Sequence, residues 1–514
     1  MHRPQPSYNI GSMILRRGPL NPARTALIFE DTTTTYADLA NRVRRLAAGL
    51  SHYGVCRGDR VAYLGVNHPD FIDTMLAAWS IGAIFVPLNF RLTGPELAYM
   101  INDAGIHTLF VDDSLRPVIV PVRDDLCCRG WVAAESDAPH WLSKQSLSES
   151  YPPLQDLYHA GQHDTAVIMY TSGTTGKPKG AMLSHGNLFW NNAASALDIH
   201  IHGDDISLVA APLFHIGGLN VTLLGALQNG TVVVLHRAFD AGQALTDIEK
   251  HAVTVMFGAP AMFLFMAQQP QFDDTDLSSL RMLIVGAAPV PRSLLEIYGK
   301  RNVSLNQGYG LTETAPFVSF LTSEHLEAKM GSAGKPGLLG EILISDADGN
   351  AVPDGEVGEI LYRGANVMQG YWNKPDATSE AIDSKGWFHT GDAGYIDSDG
   401  FLFISDRVKD MVISGGENVY PAEVESVMFE HPAIAEVAVI GVPDEKWGEA
   451  VSAVVACHEG QSLNLEELRG FCDGKLARYK LPLRLFTVAA LPRNPAGKVL
   501  KFELREQFGD EPSA

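Results

Sequence analysis

Arg60-Val61-Ala62-Tyr63-Leu64, a helical stretch over 70–79 and then Ala83-Ile84-Phe85-Val86-Pro87-Leu88 form the run that decides the fold. Two nearly continuous apolar strands separated by a helix are the pattern of strands buried on both faces, a doubly wound α/β layer. Upstream, Tyr36-Ala37-Asp38-Leu39 opens a helix that the spacing carries to about Leu50. Downstream the pattern returns at 206–235, 253–257, 281–286 and 303–306. From about 340 the texture changes to short strands divided by Asp348-Gly349-Asn350, Pro353-Asp354-Gly355 and Asp399-Gly400, turn signals that favour hairpins. Beyond Arg407 a helix is expected near 421–430 and strands near 436–441 and 451–457, enough for one small domain.

Composition narrows the function. The chain has 514 residues, 46% hydrophobic and 19% charged, so it can bury large cores and holds two to four folded units. Its net charge of −21 repels nucleic acid, and a polyanionic ligand needs a local cationic or amide-rich site. The longest apolar candidate, near 206–236, is broken by Pro212, His215, Asn220 and Asn229, so no transmembrane segment is expected. Met13-Ile14-Leu15 runs into Arg16-Arg17 and is too short for a signal peptide. Cys56, Cys127, Cys128, Cys457 and Cys472 give neither an even set nor a metal-ligand spacing, which suits a reducing, cytoplasmic compartment.

The sharpest local feature is Tyr170-Thr171-Ser172-Gly173-Thr174-Thr175-Gly176-Lys177-Pro178-Lys179-Gly180, between an apolar strand at 166–169 and Ala181-Met182-Leu183. Glycines let backbone N–H groups approach phosphate oxygens, the four hydroxyls donate hydrogen bonds, and Lys177 and Lys179 neutralise charge. Two residues rather than four separate Gly173 from Gly176, and Lys177 is followed by Pro178, so this is a polyphosphate cradle but not a Walker A loop.

Other patterns fail. Gly308-Tyr309-Gly310-Leu311-Thr312-Glu313 has Glu where a dinucleotide fingerprint needs its third glycine. His159 and His163 lack the glutamate of a zinc helix, and Asp346/Asp348 and Asp397/Asp399 lack the rest of a calcium loop. No G-x-S-x-G elbow is present to anchor serine-hydrolase chemistry. Four further stretches remain. Asn306-Gln307-Gly308-Tyr309-Gly310-Leu311-Thr312-Glu313-Thr314 offers an aromatic ring, a hydroxyl and a carboxylate suited to a base, a phosphate and Mg²⁺. Gly386-Trp387-Phe388-His389-Thr390-Gly391-Asp392 offers a carboxylate for ribose hydroxyls. A stretch from Ser405 to Pro421 carries Arg407, Lys409 and the pair Gly415-Gly416, and Pro492-Arg493-Asn494-Pro495-Ala496-Gly497-Lys498 ends on a lysine.

In this order and at these separations the five stretches resemble the adenylate-forming superfamily, above all its acyl-CoA synthetases, over nearly the whole chain. The resemblance implies a large N-terminal domain of layered α/β subdomains plus a β-rich part, followed by a small mobile α+β C-terminal domain. The division falls at 1–406 and 407–514, with Lys409 at the hinge position. It implies ATP, Mg²⁺ and CoA as cofactor and co-substrates. Thr171, Ser172, Gly173, Thr174, Thr175, Gly176, Lys177 and Lys179 then wrap the β- and γ-phosphates. Gly286, Ala287, Ala288, Gly308, Tyr309 and Gly310 form the adenine site. Thr312 and Glu313 take the phosphate and metal positions, Asp392 and Arg407 the ribose, and Gly415-Gly416 the pantetheine path. Lys498 bridges the substrate carboxylate and the α-phosphate. Ile413 stands where some CoA ligases carry a second lysine. His215 matches a position at the entrance of the acyl pocket, with an ordinary packed histidine as the alternative.

The implied acyl pocket, from Ile216, Gly217, Gly218, Leu219, Val221, Leu224, Met262, Phe263, Phe317 and Val318, contains no Arg or Asp to pair a second charge. Burying such a charge alone costs several kcal/mol, roughly, so diacids and amino acids are disfavoured. Small residues at Gly217, Gly218, Gly258 and Ala259 leave room for a long body. A medium- or long-chain fatty acid is therefore the first expectation and an aryl acid such as a cinnamate the second. Transfer to a carrier protein is a further alternative, disfavoured by Gly415-Gly416 and the lack of a fused carrier. A luciferase-like oxygenase lacks its usual Ser-Lys-Leu ending, and a catalytically dead sensor would not need Glu313, Asp392, Arg407 and Lys498 together. A homodimer is left open. The eight Lys/Arg of 475–505, set against the single acid Glu503, read as a cationic patch for polyphosphate or CoA.

Overall fold

The computed structural model describes residues 7–136, 138–171, 177–287, 290–407, 410–414, 417–444, 446–493 and 499–509, with 406, 407, 417 and 418 described by their backbone alone. Two compact units emerge: Met1–Ile342 with Tyr362–Phe388, and Leu343–Leu361 with His389–Ala514.

The first unit is built on two large sheets. One runs in the order Gly370–Tyr371, Lys179–Ser184, Thr165–Thr171, Ile84–Leu88, Arg60–Leu64, Ile106–Val111, Gly130–Ala133 and Leu142–Ser143. Its body is parallel from Thr165–Thr171 to Leu142–Ser143, and the two strands at the other edge are antiparallel. The expected strand over 83–88 is Ile84–Leu88 and is buried throughout. Pro87 removes a donor from it. Accordingly the strand pairs through all five residues with Arg60–Leu64 but meets Thr165–Thr171 at Phe85 and Val167.

Helix ends follow local chemistry. Helix Tyr36–His52 starts at a capping box in which Thr35 Oγ1 accepts from the Asp38 N–H and Asp38 accepts from the Thr35 N–H. Helix Pro69–Ser80 has Pro69 in its first turn and the His68 ring nitrogen accepting from the Asp70 N–H at 3.2 Å. These helices bury Leu46, Phe71, Met75 and Trp79 in the largest core, which also takes in Leu219 and Leu223.

The second sheet has nine strands: Lys335–Pro336, Phe317–Leu321, Leu305–Gly310, Met282–Val285, Val255–Gly258, Ile206–Val209, Val232–Leu235, Thr25–Phe29 and Thr32–Thr35. The strands from Leu305–Gly310 to Thr25–Phe29 are parallel. Gly258, Val285 and Gln307 align across three neighbours, so Gly258, Gly286 and Gly308 gather at the carboxyl ends of adjacent parallel strands. Ligands of open α/β sheets bind at such ends.

In the second unit Phe388–Ile396, which begins on the last residue of the first, and Leu402–Arg407 form the hairpin expected at Asp399-Gly400. The expected 421–430, 436–441 and 451–457 are helix Pro421–Phe429 and strands Ile434–Asp444 and Gly448–Cys457, the last two paired antiparallel over ten residues. Val412, Val424, Val439, Val451 and Leu468 fill the core there. Among the described residues no helix is long and apolar enough to cross a membrane.

Candidate active site

The phosphate stretch sits on an antiparallel hairpin, Thr165–Thr171 with Lys179–Ser184, whose last described pair is Thr171 with Lys179. Ser172, Gly173, Thr174, Thr175 and Gly176 lie outside the described residues. The two lysines flanking them both rest on aromatic rings, Lys177 Nζ 5.5 Å from the Tyr99 centroid and Lys179 Nζ 5.0 Å from that of Tyr371. Both ammonium groups are thereby held against aromatic faces.

Glu313 comes to the same hairpin from the other sheet. The short helical turn Thr312–Thr314 follows strand Leu305–Gly310, which carries Gly308, Tyr309 and Gly310. Glu313 is buried, and its Oε1 accepts from the Tyr371 hydroxyl at 2.9 Å and, more weakly, from Thr171 Oγ1 at 3.4 Å. Among the described residues Oε2 has no hydrogen-bond partner. No group of three or more His, Cys, Asp or Glu side chains among the described residues could hold a metal. A single carboxylate with one uncommitted oxygen nevertheless fits Mg²⁺, which is commonly held by one or two carboxylates together with substrate phosphates.

Gly286 and Gly308 are adjacent: a methyl group on Gly286 would lie 3.2 Å from the Gly308 carbonyl oxygen and 3.2 Å from Cε2 of Phe257. Ala287 is exposed with φ 69°, a backbone conformation that strains an L-residue, and Ala288 lies outside the described residues. Gly217 abuts the same ring, since a methyl group there would lie 2.6 Å from Phe257 Cε1, and one on Gly308 would lie 2.9 Å from Phe317 Cε1. The edges of two phenyl rings thus pack directly on glycine backbone. Around them lies the cluster of Ile199, Val221, Val255 and Ile284, with Phe257, Phe317 and Phe320 partly buried against it.

His215 precedes Gly217–Leu223, a π-helical segment with no warning in the sequence. Burial and the nearby Arg91 guanidinium push the imidazole down to about 4, so it is neutral at physiological pH. Asn67, which sequence reasoning missed, fixes the loop in front of it. The buried Asn67 amide donates to the Ala211 carbonyl at 3.0 Å and accepts from the Leu213 N–H at 2.9 Å. Tyr371 was also missed; its signal was the pair Gly370-Tyr371, two residues too short to read as a strand.

In the second unit Asp392 is buried and pairs across its hairpin with Arg407, so the two expected ribose residues occupy facing positions. The turn before Asp392 is held by Glu359, whose carboxylate accepts from the Gly391 N–H at 3.2 Å and bonds the His389 ring at 2.9 Å. Lys409, Gly415, Gly416 and Lys498 lie outside the described residues.

The expected cationic patch of 475–505 is corrected. Six of its eight cations pair with acids from elsewhere in the unit: Lys475 with Glu430, Lys480 with Glu423, Arg484 with Asp444, Arg493 with Glu436, Lys501 with Glu425 and Arg505 with Asp410. Those partners come from outside the window, so the local surplus of charge is largely compensated. The rejected calcium readings stand explained: Asp346 accepts from the Asp348 and Asn350 N–H groups, and Asp397 from those of Asp399 and Phe401. These carboxylates build turns.

The AMP-binding enzyme family model matches residues 16–372, and the AMP-binding enzyme C-terminal domain matches 423–498. A feruloyl-CoA synthase of an Amycolatopsis species is 44% identical, covering 98% of this chain and 100% of that protein. An indoleacetate–CoA ligase of Aromatoleum aromaticum is 42% identical, over 97% and 98% of the two chains. The long-chain-fatty-acid–CoA ligase FadD13 of Mycobacterium tuberculosis is 38% identical, again over 97% and 98%. The solved o-succinylbenzoate coenzyme A synthetase (MenE) of Bacillus subtilis, in complex with ATP and magnesium ion, superposes with a TM-score of 0.86 at 34% identity, over 98% and 99%. With both family segments present and relatives alike from end to end, the chain belongs to the adenylate-forming AMP-binding enzymes, in their acyl-CoA synthetase family.

Proposed function

We propose that this acid–CoA ligase, which uses ATP, Mg²⁺ and CoA, activates a planar aryl monocarboxylic acid of the arylpropenoic or arylacetic kind. The supporting observation is an apolar, aromatic region: ring edges of Phe257 and Phe317 packed on Gly217, Gly286 and Gly308, backed by the cluster of Ile199, Val221, Val255 and Ile284. Flat aromatic substrates gain from ring edges as well as from burial. The cation beside that cluster, Arg281, is engaged by Asp205 at 2.7 and 3.2 Å, which leaves it poorly placed to pair a second substrate carboxylate. The 44% and 42% identity to ligases named for feruloyl and indoleacetate substrates supports the same order. It reverses the preference drawn from the small residues alone, which favoured a medium- or long-chain fatty acid. That second reading keeps the support of the FadD13 relationship.

In the proposed mechanism a carboxylate oxygen of the acid attacks the α-phosphorus of ATP, the α–β P–O bond breaks and pyrophosphate leaves. Two anions approaching to about 4 Å repel by roughly 4 kcal/mol at an effective dielectric of 20. Lys498 offsets that repulsion at the reacting oxygens, and bound Mg²⁺ neutralises phosphate charge. Thr171 to Lys179 hold the β- and γ-phosphates, Tyr309 and Gly286–Ala288 the adenine, Thr312 the phosphate, Glu313 the metal, and Asp392 with Arg407 the ribose. The CoA sulfur then attacks the acyl carbon past Gly415-Gly416, and the bond to AMP breaks. The domain following residue 406, hinged at Lys409, brings Lys498 and the glycine pair into use in turn.

The test is pyrophosphate release across cinnamic, arylacetic and C8–C16 fatty acids, with and without CoA. An aryl acid is expected to exceed every fatty acid at least tenfold in kcat/KM, about 1.4 kcal/mol of transition-state discrimination. A fatty acid at the top of that ranking overturns the aryl reading and leaves the ligase chemistry intact.

A further inference from the structure

The short segment 365–372 ties the two halves of the nucleotide side together. On one face the Gln369 N–H donates to the Met182 carbonyl and the Trp372 N–H to that of Gly180, at 2.9 and 2.7 Å, extending the phosphate hairpin by one edge strand. On the other, the Met368 N–H donates to the Glu313 carbonyl at 2.7 Å, and Asn366 Nδ2 to the carbonyls of Thr314 and Phe317 at 2.6 Å each. Asn187 Nδ2 secures the segment from behind through the carbonyls of Ala365 and Val367. Tyr371 ends this strap with its ring against the Lys179 ammonium and its hydroxyl on Glu313 Oε1.

We propose that Tyr371 is a positioning residue for the metal carboxylate: its hydroxyl fixes one oxygen of Glu313 so that the other is presented in a single orientation. This rests on the reading of Glu313 as the Mg²⁺ residue. A glutamate carboxylate, on a side chain with three rotatable bonds, samples several rotamers unless something restrains it, and metal binding has to select one. The 3.4 Å approach of Thr171 is too long to do so, whereas the Tyr371 hydroxyl at 2.9 Å is within hydrogen-bond range and restrains it. The Lys179 ammonium and the metal carboxylate are then held by one side chain, because Tyr371 also carries Lys179 on its ring.

The experiment compares Tyr371→Phe and Glu313→Gln with the parent protein, using Mn²⁺ as probe in the presence of α,β-methylene-ATP. Free Mn²⁺ is followed by electron paramagnetic resonance, and the unfolding temperature is recorded alongside. Phenylalanine keeps the ring under Lys179 and the packing, so Tyr371→Phe is expected to unfold with the parent. It should weaken Mn²⁺ binding about five- to twentyfold, with the KM for the acid unchanged. Glu313→Gln should weaken it at least as much. If Glu313→Gln is weak but Tyr371→Phe binds Mn²⁺ like the parent, the positioning role of Tyr371 is overturned and the Glu313 reading survives. If Glu313→Gln itself binds normally, both fall.

Discussion

Replacing Asn67 with alanine should damage acid recognition while sparing ATP. Asn67 is buried, and its side chain closes a ring with the loop before His215, donating to Ala211 at 3.0 Å and accepting from Leu213 at 2.9 Å. Both loop groups lie on residues that are themselves buried, so water cannot replace the lost partners cheaply. A buried group left unsatisfied costs about 1–3 kcal/mol, which puts the total for the two groups near 2–6 kcal/mol. The backbone of Asn67 keeps its own bond to the Arg237 carbonyl, so the cost falls on the loop and on what the loop supports. That includes the π-helical turn, because the Pro212 carbonyl packs so closely under Gly218 that a methyl group there would lie 2.2 Å from it. If half the cost appears at the acid site, the KM for the acid in ATP–pyrophosphate exchange rises roughly 5- to 150-fold. The KM for ATP should stay within twofold, since no bond from this loop reaches Glu313 or the phosphate hairpin among the described residues. An equal rise in both constants, or an unchanged acid KM in a protein with lowered stability, would refute the assignment of Asn67 to the acid side.

Lys498→Ala should abolish adenylate formation while thiolysis of supplied acyl adenylate largely survives, and Gly416→Trp should do the reverse; equal loss of both half-reactions in both variants contradicts the division of labour. Lys144→Met should cost about 3–5 kcal/mol in chemical denaturation, because its ammonium sits between half-buried Asp70 and fully buried Asp73, 3.1 Å from the latter. Arg42, 2.6 Å from Asp73, cannot by itself compensate both carboxylates, and a loss below 1 kcal/mol would count against that account. Burial pushes His185 down to about 4, so between there and its ordinary value near 6.5 the unfolded chain binds more protons than the folded one. Its contribution to stability is therefore complete above pH 6.5 and is lost as the pH falls toward 4. His185→Leu should flatten the pH dependence of unfolding over that window by up to about 1.4 kcal/mol per pH unit.

What the sequence made legible is what is local. The strands that flank the proposed phosphate stretch could be read because both are short apolar runs beside a glycine-rich segment of sequence, and Thr171 and Lys179 do pair across them. Asp392 and Arg407 are fifteen positions apart, yet the Asp399-Gly400 turn between them is itself a sequence signal, and it sets them opposite each other. Tyr371 lies 58 residues from Glu313 and Asn67 about 145 from the loop it clamps, with nothing in either neighbourhood to announce a partner. The misread cationic patch failed for the same reason. Charge counted in a window ignores acids brought in by folding, and Arg505 finds Asp410 across 95 residues.

The bonding pattern also separates the two halves of the catalytic unit by how they are held. The side proposed for the nucleotide adds backbone bonds to its side-chain ones: strap 365–372 is joined to the hairpin Thr165–Thr171 with Lys179–Ser184 by main-chain bonds and to Glu313 by another. The acid side rests on side chains, with Asn67 on the loop and Asn220 Nδ2 on the Ala315 carbonyl. Main-chain bonds survive substitution, whereas side-chain bonds change with it. An enzyme family that keeps ATP while changing acids needs that asymmetry, and here it is built into which atoms make the bonds. Asn366 is where the halves meet, since one amide holds both Thr314, next to Glu313, and Phe317, one of the two rings of the proposed acid region. Substitution at Asn366 should therefore be the one that fails to separate the two affinities, shifting acid and metal binding together where Asn67 and Tyr371 shift them apart.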